Sequence, residues 1–417
     1  MSRTHLVSIL LLAASAALAE ERRPRIRDLG VHPGVLEPGP LNAITDVAGI
    51  RVGHRSRNEG DSVRTGVTAI MPHNGNLFRQ KVAAAVHVGN GFGKAAGFLQ
   101  VQELGCIETP IVLTNTLGVG TAVEAVVGWT LRQAGNEDAR SVNSVVGETN
   151  DGYLNDIRGL HVTREDVWMA IESAHDGPVE EGCVGAGVGT RALGWKGGIG
   201  TASRRLSESL GGYTVGALVQ SNFAGILCID GVRVGEALGR YSYREEIEAQ
   251  SRGGGRSGRA PDDSDDSDDS DAWDSDQPVA RDPDADRGSC MIVLATDAPL
   301  SARNLERLAR RAVLGLARVG SFMDNGSGDF VIAFSTRNQV PHAPPERVLT
   351  LEELHNDAMG PLFLASVEAV EEAIYNSLVK AVTTTGYRGR TVEAIPLDRL
   401  RDLLAKGRGG AAKRRGP

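Results

Sequence analysis

The sequence predicts an α/β or α+β fold, and three observations point to it. Short apolar runs of strand type alternate with amphipathic runs of helix type along most of the chain. Glycine-rich turns punctuate them, with 52 Gly among 417 residues. Apolar residues make up 41% but aromatics only 4%, which is ample for a core, though one of small side chains and close backbone packing.

The first nineteen residues are expected to lie outside the fold. Arg3 supplies a positive start, residues 6–12 with Ala13 and Ala14 form a short apolar stretch, and Ala17-Leu18-Ala19 is an A-x-A cleavage site before Glu20. This is the pattern of a cleavable secretory signal peptide. The stretch is shorter than the ~20 residues a spanning helix needs, so no membrane anchor is expected. One domain is expected over residues 20–417.

Within it, residues 110–114 (Pro-Ile-Val-Leu-Thr) read as an apolar strand, and residues 121–131 as a short helix carrying Ala122, Val123, Val126 and Val127. Residues 213–219 are rich in β-formers and end at Ser221-Asn222. Three glycine runs read as turns: Gly89-Asn90-Gly91-Phe92-Gly93, residues 185–189, and Gly197-Gly198-Ile199-Gly200.

Composition then changes abruptly over residues 251–287, which hold Gly253-Gly254-Gly255 and a Ser/Asp repeat. Residues 261–286 carry 12 Asp and one Arg, a net −11, which leaves +3 on the rest of a chain whose total is −8. Such a segment cannot bury a core and reads as a disordered, solvated spacer. It lacks the Gly and terminal Glu of an EF-hand loop, so tight calcium binding is not expected. The nearly neutral remainder gives no reason to expect a nucleic-acid partner.

Order is expected to resume at Ser289. Residues 290–295 (Cys-Met-Ile-Val-Leu-Ala) read as a fully buried strand. A helix capped by Ser301 follows, with Leu305, Leu308, Ala309, Ala312 and Leu316 on one face. Residues 329–336 form another strand. A long helix is expected from Pro361 to about Val382, with Phe363, Val367, Val370, Ile374 and Leu378 at helical spacing. The basic, Gly-rich tail (Lys406, Arg408, Lys413, Arg414, Arg415) is expected to fray. Cys106, Cys183, Cys228 and Cys290 are too few for a disulfide framework and read as small buried hydrophobes.

Several chemistries lack their signals. The chain has no G-x-S-x-G elbow, no G-x-x-x-x-G-K-[ST] loop, and no Cys or His spacing for zinc. The informative junction is Gly288-Ser289, where the spacer meets a buried strand. A chain cut there would place a Ser hydroxyl and a free α-amine rigidly at a strand end. The amine, with an unperturbed pKa near 8, can serve as base without a His. Gly-Ser after a linker is common, so spacing alone favours a plain linker junction. Asn325-Gly326-Ser327-Gly328-Asp329 opens the next strand. In extended chain Ser327 and Asp329 share a side, so the hydroxyl and carboxylate could relay a proton, or the segment is simply a polar turn. Asn222, ending a strand, could donate to an oxyanion. Asp151-Gly152-Tyr153 sets a carboxylate two residues from a phenol, or is a turn with a packed Tyr.

The chain resembles the secreted serine aminopeptidases, the family of L-aminopeptidase/D-esterase-amidases and β-peptidyl aminopeptidases. The residues that carry the likeness include Arg27-Asp28-Leu29-Gly30, Gly39-Pro40-Leu41-Asn42-Ala43-Ile44-Thr45-Asp46-Val47, and Val88-Gly89-Asn90-Gly91-Phe92-Gly93-Lys94. They continue with Asp151-Gly152-Tyr153-Leu154-Asn155-Asp156, Trp195-Lys196-Gly197-Gly198-Ile199-Gly200-Thr201 and Ala295-Thr296-Asp297-Ala298-Pro299-Leu300. They span nearly the whole chain apart from the spacer and tail.

The resemblance implies a four-layer α-β-β-α sandwich, similar to N-terminal-nucleophile hydrolases but differently connected. It also implies autocleavage between Gly288 and Ser289 into chains 20–288 and 289–417. Ser289 then matches the nucleophile, Ser327 the serine that handles its proton, Asn222 the oxyanion donor and Tyr153 a tyrosine beside the nucleophile. Asp329 stands where the family carries Glu, one methylene shorter. Asp151 falls near the acid that receives the substrate's amine. The implied protein is an exported, periplasmic or secreted homo-oligomer of processed heterodimers. It would act on peptides, amino-acid amides or esters with no metal or organic cofactor. Two other readings stay open. One is an acyl transferase like the ornithine acetyltransferases, against which Ser289 and the signal peptide argue. The other is a catalytically inactive secreted binding protein.

Overall fold

The computed structural model describes residues 23–252, 288–344 and 346–414. The expected signal peptide, residues 1–19, and nearly all of the expected spacer lie outside the described residues.

In chain order the strands and helices of the first half are β1 (Arg51–Glu59), β2 (Val63–Met71), β3 (Gln80–Gly91), α1 (Phe98–Leu104), β4 (Cys106–Ile107), β5 (Ile111–Asn115), α2 (Val119–Leu131), β6 (Val145–Thr149) and α3 (Arg164–Glu172). They continue with β7 (Arg191–Ala192), β8 (Trp195–Lys196), β9 (Gly198–Arg205), β10 (Thr214–Asn222), α4 (Val234–Ala237) and α5 (Arg244–Arg252). The second half holds β11 (Ser289–Thr296), α6 (Ala302–Arg318), β12 (Gly328–Pro341), α7 (Gly360–Val379), the short pair β13 (Thr384–Thr385) and β14 (Thr391–Val392), and α8 (Leu397–Arg414).

Two sheets result. One runs β1-β2-β5-β6, the other β4-β3-β12-β11-β10-β9. Alternation along each strand sorts side chains onto two faces. In β11, Met291 and Val293 point to the space between the sheets, while Ile292 and Leu294 point to the helices α6 and α7. In β5, Ile111 and Leu113 join the same inter-sheet core, and Val112 faces α2 and α3. Three apolar layers separated by two sheets make a four-layer α-β-β-α sandwich, as the resemblance implied.

The expected elements form with shifted ends. Ser301 caps α6 by accepting from the Asn304 N–H at 3.5 Å, and the five predicted core positions of that helix are fully buried. The long helix ends at Val379, slightly short of the expected Val382. The strand expected to stop at Thr336 continues to Pro341.

Four readings need correction. The tail does not fray at once: α8 runs through Lys406 and Arg408 to Arg414, because Leu400 and Leu404 anchor its start in the core. The segment read as disordered from residue 251 begins inside α5, which reaches Arg252. Gly198 and Gly200 lie in β9 and Gly89 and Gly91 in β3, so neither run is a simple turn. At Gly200 the reason is close approach, since an added Cβ would sit 1.9 Å from the Ala373 oxygen of α7. Of the four free thiols, Cys106 and Cys290 are buried as expected, but Cys183 and Cys228 are only half-buried.

Helix α7 is tied to its sheet by charge as well as by packing. Arg204 on β9 is fully buried and pairs with Glu368 at 3.1 Å and Glu372 at 2.8 Å.

Candidate active site

The ends of several strands meet at one edge of the sandwich. Strand β11 starts at Ser289 between two neighbours, opposite Asn222 of antiparallel β10 and Gly328 of parallel β12. Gly328 in turn faces Gly91 at the end of β3. Strand β6 of the other sheet ends at Thr149, just before Asn150, Asp151 and Tyr153.

A cavity of about 450 Å³ opens here, and Ser289, Gly288, Asn222 and Tyr153 all line it. Four of the residues singled out in the sequence are therefore gathered at one place. Ser289 is 5% exposed. The Gly328 N–H points at two acceptors, Gly288 O at 3.1 Å and Ser289 Oγ at 3.3 Å. Gly288 is there because of crowding: an added Cβ would lie 2.3 Å from the Asn222 oxygen. The Asn222 side chain is oriented by its own oxygen, which accepts from the Arg191 backbone N–H at 2.9 Å. That fixes the amide, so its NH2 end is the one left for a ligand.

Ser327 and Asp329 flank Ser289 in the sheet, buried to 2% and 1% exposure. The Asp329 acid is pushed up to about 7, chiefly by burial and then by the Asp324 carboxylate, against the Ser327 hydroxyl and the Cys290 N–H. The hydroxyl is close enough to favour the charged form, yet Ser327 Oγ and both Asp329 oxygens make no hydrogen bond of good geometry. Buried polar atoms left in this state are rare and call for an explanation.

Asp151 is not brought into the cavity. It is buried beneath the wall, where its carboxylate accepts from Asn155 Nδ2 at 3.0 Å. Burial pushes its pKa up to about 7, opposed by Thr65 and Asn155. The reason is local geometry: the chain turns after β6, and Asn150 and Gly152 face the cavity while Asp151 turns inward.

The carboxylate that does line the cavity is Glu148. It accepts from the Lys94 N–H at 2.9 Å and from the Thr116 hydroxyl. A charged residue inside the otherwise uncharged, β-branched run Val145-Val146-Gly147-Glu148-Thr149 was a signal available in the sequence. Lys94, Arg191 and Arg390 also line the cavity. Arg191 lies 4.3 Å and Arg390 5.0 Å from the centre of the Tyr153 ring. Nothing local in the sequence marks the two arginines.

Such an arrangement can do acyl chemistry. It has a hydroxyl at a rigid strand end, an oriented amide donor, a buried acid poised near neutrality, and an anionic and a cationic wall.

Comparison with known proteins agrees with this geometry. The family model for peptidase family S58 matches residues 42–392. The chain is 41% identical over 412 residues to the beta-peptidyl aminopeptidase BapA of Sphingosinicella microcystinivorans, covering 96% of each. It is similar to the solved Burkholderia sp. beta-aminopeptidase, with TM-score 0.78 and 39% identity over 92% of this chain and 99% of that one. It is also similar to the L-aminopeptidase D-Ala-esterase/amidase of Ochrobactrum anthropi, with TM-score 0.77 and 36% identity over the same shares. That enzyme is described as a prototype of the serine aminopeptidases and a new variant of the Ntn hydrolase fold. With the family model spanning most of the sequence and these relatives aligning over nearly their full length, the chain belongs to peptidase family S58.

Proposed function

We propose that this peptidase is an aminopeptidase that cuts itself between Gly288 and Ser289 and then uses Ser289 as its nucleophile. The observation that carries the reading is the pair Ser327 and Asp329, buried beside the strand end with no hydrogen bond of good geometry to their side-chain oxygens. The two residues bracket Gly328, which pairs with Ser289 across the sheet, so an α-amine made by such a cut would be a new donor beside them.

Self-cleavage begins with Ser289 Oγ on the Gly288 carbonyl carbon. The O–C bond forms, the C–N bond breaks, and the nitrogen takes the hydroxyl proton. The Gly328 N–H, already shared between the two oxygens, steadies the developing charge. Water then hydrolyses the ester and leaves a free Ser289 amine. In turnover the same hydroxyl attacks the carbonyl of the substrate's first residue, and the amine accepts its proton. Asn222 Nδ2 donates to the oxyanion. The amine, backed by Ser327 and Asp329, passes the proton to the leaving nitrogen, and water releases the acyl group.

Glu148, rather than Asp151, holds the substrate ammonium, because it is the carboxylate on the cavity wall. Asp151 supports that wall from beneath, and Tyr153 packs beside the nucleophile. The chain is exported, a reading supported by Arg3, the apolar stretch and Ala17-Leu18-Ala19. No described helix is long and apolar enough to cross a membrane. The family resemblance supports a homo-oligomer of processed heterodimers.

N-terminal sequencing of active protein should find a second terminus at Ser289. Ser289→Ala should stay one uncut chain and lose turnover by about a thousandfold or more. Acetylating the substrate amine should cost about tenfold or more in kcat/KM, since it removes a charge-assisted contact. An active enzyme with no Ser289 terminus would overturn the reading.

A further inference from the structure

We propose that Arg390, beside the Tyr153 ring, forms a carboxylate-binding subsite that makes short peptides with a free C-terminus, dipeptides above all, the preferred substrates. The inference rests on the aminopeptidase reading of the cavity.

The walls of the cavity are charged unequally. Glu148, Lys94 and Arg390 all line the catalytic cavity. A second hollow of about 490 Å³ adjoins it and shares two of its residues, Tyr153 and Arg191. Those two mark the boundary between the hollows, and Glu148 is not one of them. Arg390 lies on the boundary side, against the same Tyr153 ring as Arg191.

Arg390 is half-buried and lines the catalytic cavity, yet no carboxylate among the described residues pairs with it. Glu393, three residues on, is already bound to Arg240. A guanidinium drawn to an aromatic ring loses part of its side-chain freedom, and its fork of N–H donors matches a carboxylate in two-point geometry. Arg191 is positioned by the same segment that orients the oxyanion amide, through its backbone N–H to Asn222 Oδ1.

Substrate geometry matches this layout. A peptide attacked at its first carbonyl carries its ammonium on one side and its leaving residue on the other. In a dipeptide the leaving residue ends in a carboxylate within about one residue length, ~3.5 Å, of the scissile nitrogen. With the ammonium on Glu148, that carboxylate falls toward Tyr153 and Arg390. A neutral C-terminal amide would leave Arg390 without an anion, and a longer peptide would carry its carboxylate past it.

The test is kcat/KM for alanyl-alanine against its C-terminal amide, with the first residue L-, D- or β-alanyl, whichever is turned over. Wild type should favour the acid by about ten- to a hundredfold, the range of one charge-assisted contact. In Arg390→Gln the acid-to-amide ratio should fall toward one, mainly through a higher KM for the acid. Arg390→Lys should keep part of the preference, and serves as the second variant if Arg390→Gln does not fold. Equal wild-type rates on acid and amide would overturn the subsite and leave the aminopeptidase reading standing. So would an unchanged ratio in either folded variant, as regards Arg390. No turnover of any free-amine substrate would overturn both.

Discussion

At Asp329, burial and the neighbouring Asp324 carboxylate raise the pKa to about 7 against the pull of Ser327 and the Cys290 N–H. The acid is therefore neutral below that value and charged above it. A new ammonium at Ser289 favours the charged form, so in cut enzyme the transition should lie at or below 7. Only the carboxylate can draw a proton from the serine amine, so kcat/KM should fall as pH drops through this transition. Asp329→Asn should shift that acidic limb, leaving only the part set by the serine amine itself, and turn over more slowly by about a hundredfold. A pH–rate profile from 5 to 9 on both proteins is the check, and an unchanged limb in the variant would assign it to another group. Ser289, Asn222, Ser327 and Asp329 could be singled out because they lie at or beside strand ends, but it is the family resemblance that gives them and Tyr153 their roles. Glu148 was passed over for Asp151. A turn decides which of two nearby carboxylates faces the cavity, and spacing does not record the turn. Arg390 was invisible, since only the folded chain brings it to the Tyr153 ring.

Among the elements, the contact of β9 with α7 joins a glycine-permitted close approach to a buried charge cluster. Arg204 and its partners Glu368 and Glu372 are at most 1% exposed in their side chains. Arg204→Ala would leave Glu372 with Arg27 and Glu368 with only the Val35 and Leu36 N–H groups, so the loss should fall at or below the low end of the about 3–5 kcal/mol that breaking a buried pair costs. Denaturant unfolding in a Ser289→Ala background, where the chain should stay whole, is the measurement. A loss below about 1 kcal/mol would mean that water reaches the cluster. Helix α6 was readable because its cap and apolar stripe are local. The glycine runs were misread because a glycine that lets a helix approach a strand looks, in sequence, like one that makes a turn. The terminal helix was misread because its basic, Gly-rich end hides the anchoring leucines at its start.

For the whole molecule, strand pairing was not legible in local pattern. Strands β3 and β12 are neighbours in the sheet although far apart in sequence, and only the family resemblance pointed to the four layers. The acidic segment has a simpler expectation. Its composition is too polar to bury, and loop length changes closure entropy by only ~0.6 kcal/mol per doubling. Deleting residues 256–280 should therefore leave folding and self-cleavage largely intact, checked by circular dichroism and gel analysis. An insoluble or uncut deletion would give the segment a structural role. The sheet order β4-β3-β12-β11-β10-β9 has one more consequence. Once the bond before Ser289 is cut, the strands β11 and β12 belong to one polypeptide and lie between β3 and β10 of another. The fragments stay interleaved as long as the sheet holds, but they share no covalent memory of each other. Recovery after full unfolding becomes a bimolecular event that slows on dilution, so the mature enzyme's lifetime is governed by how slowly it opens, not by how readily it could form again.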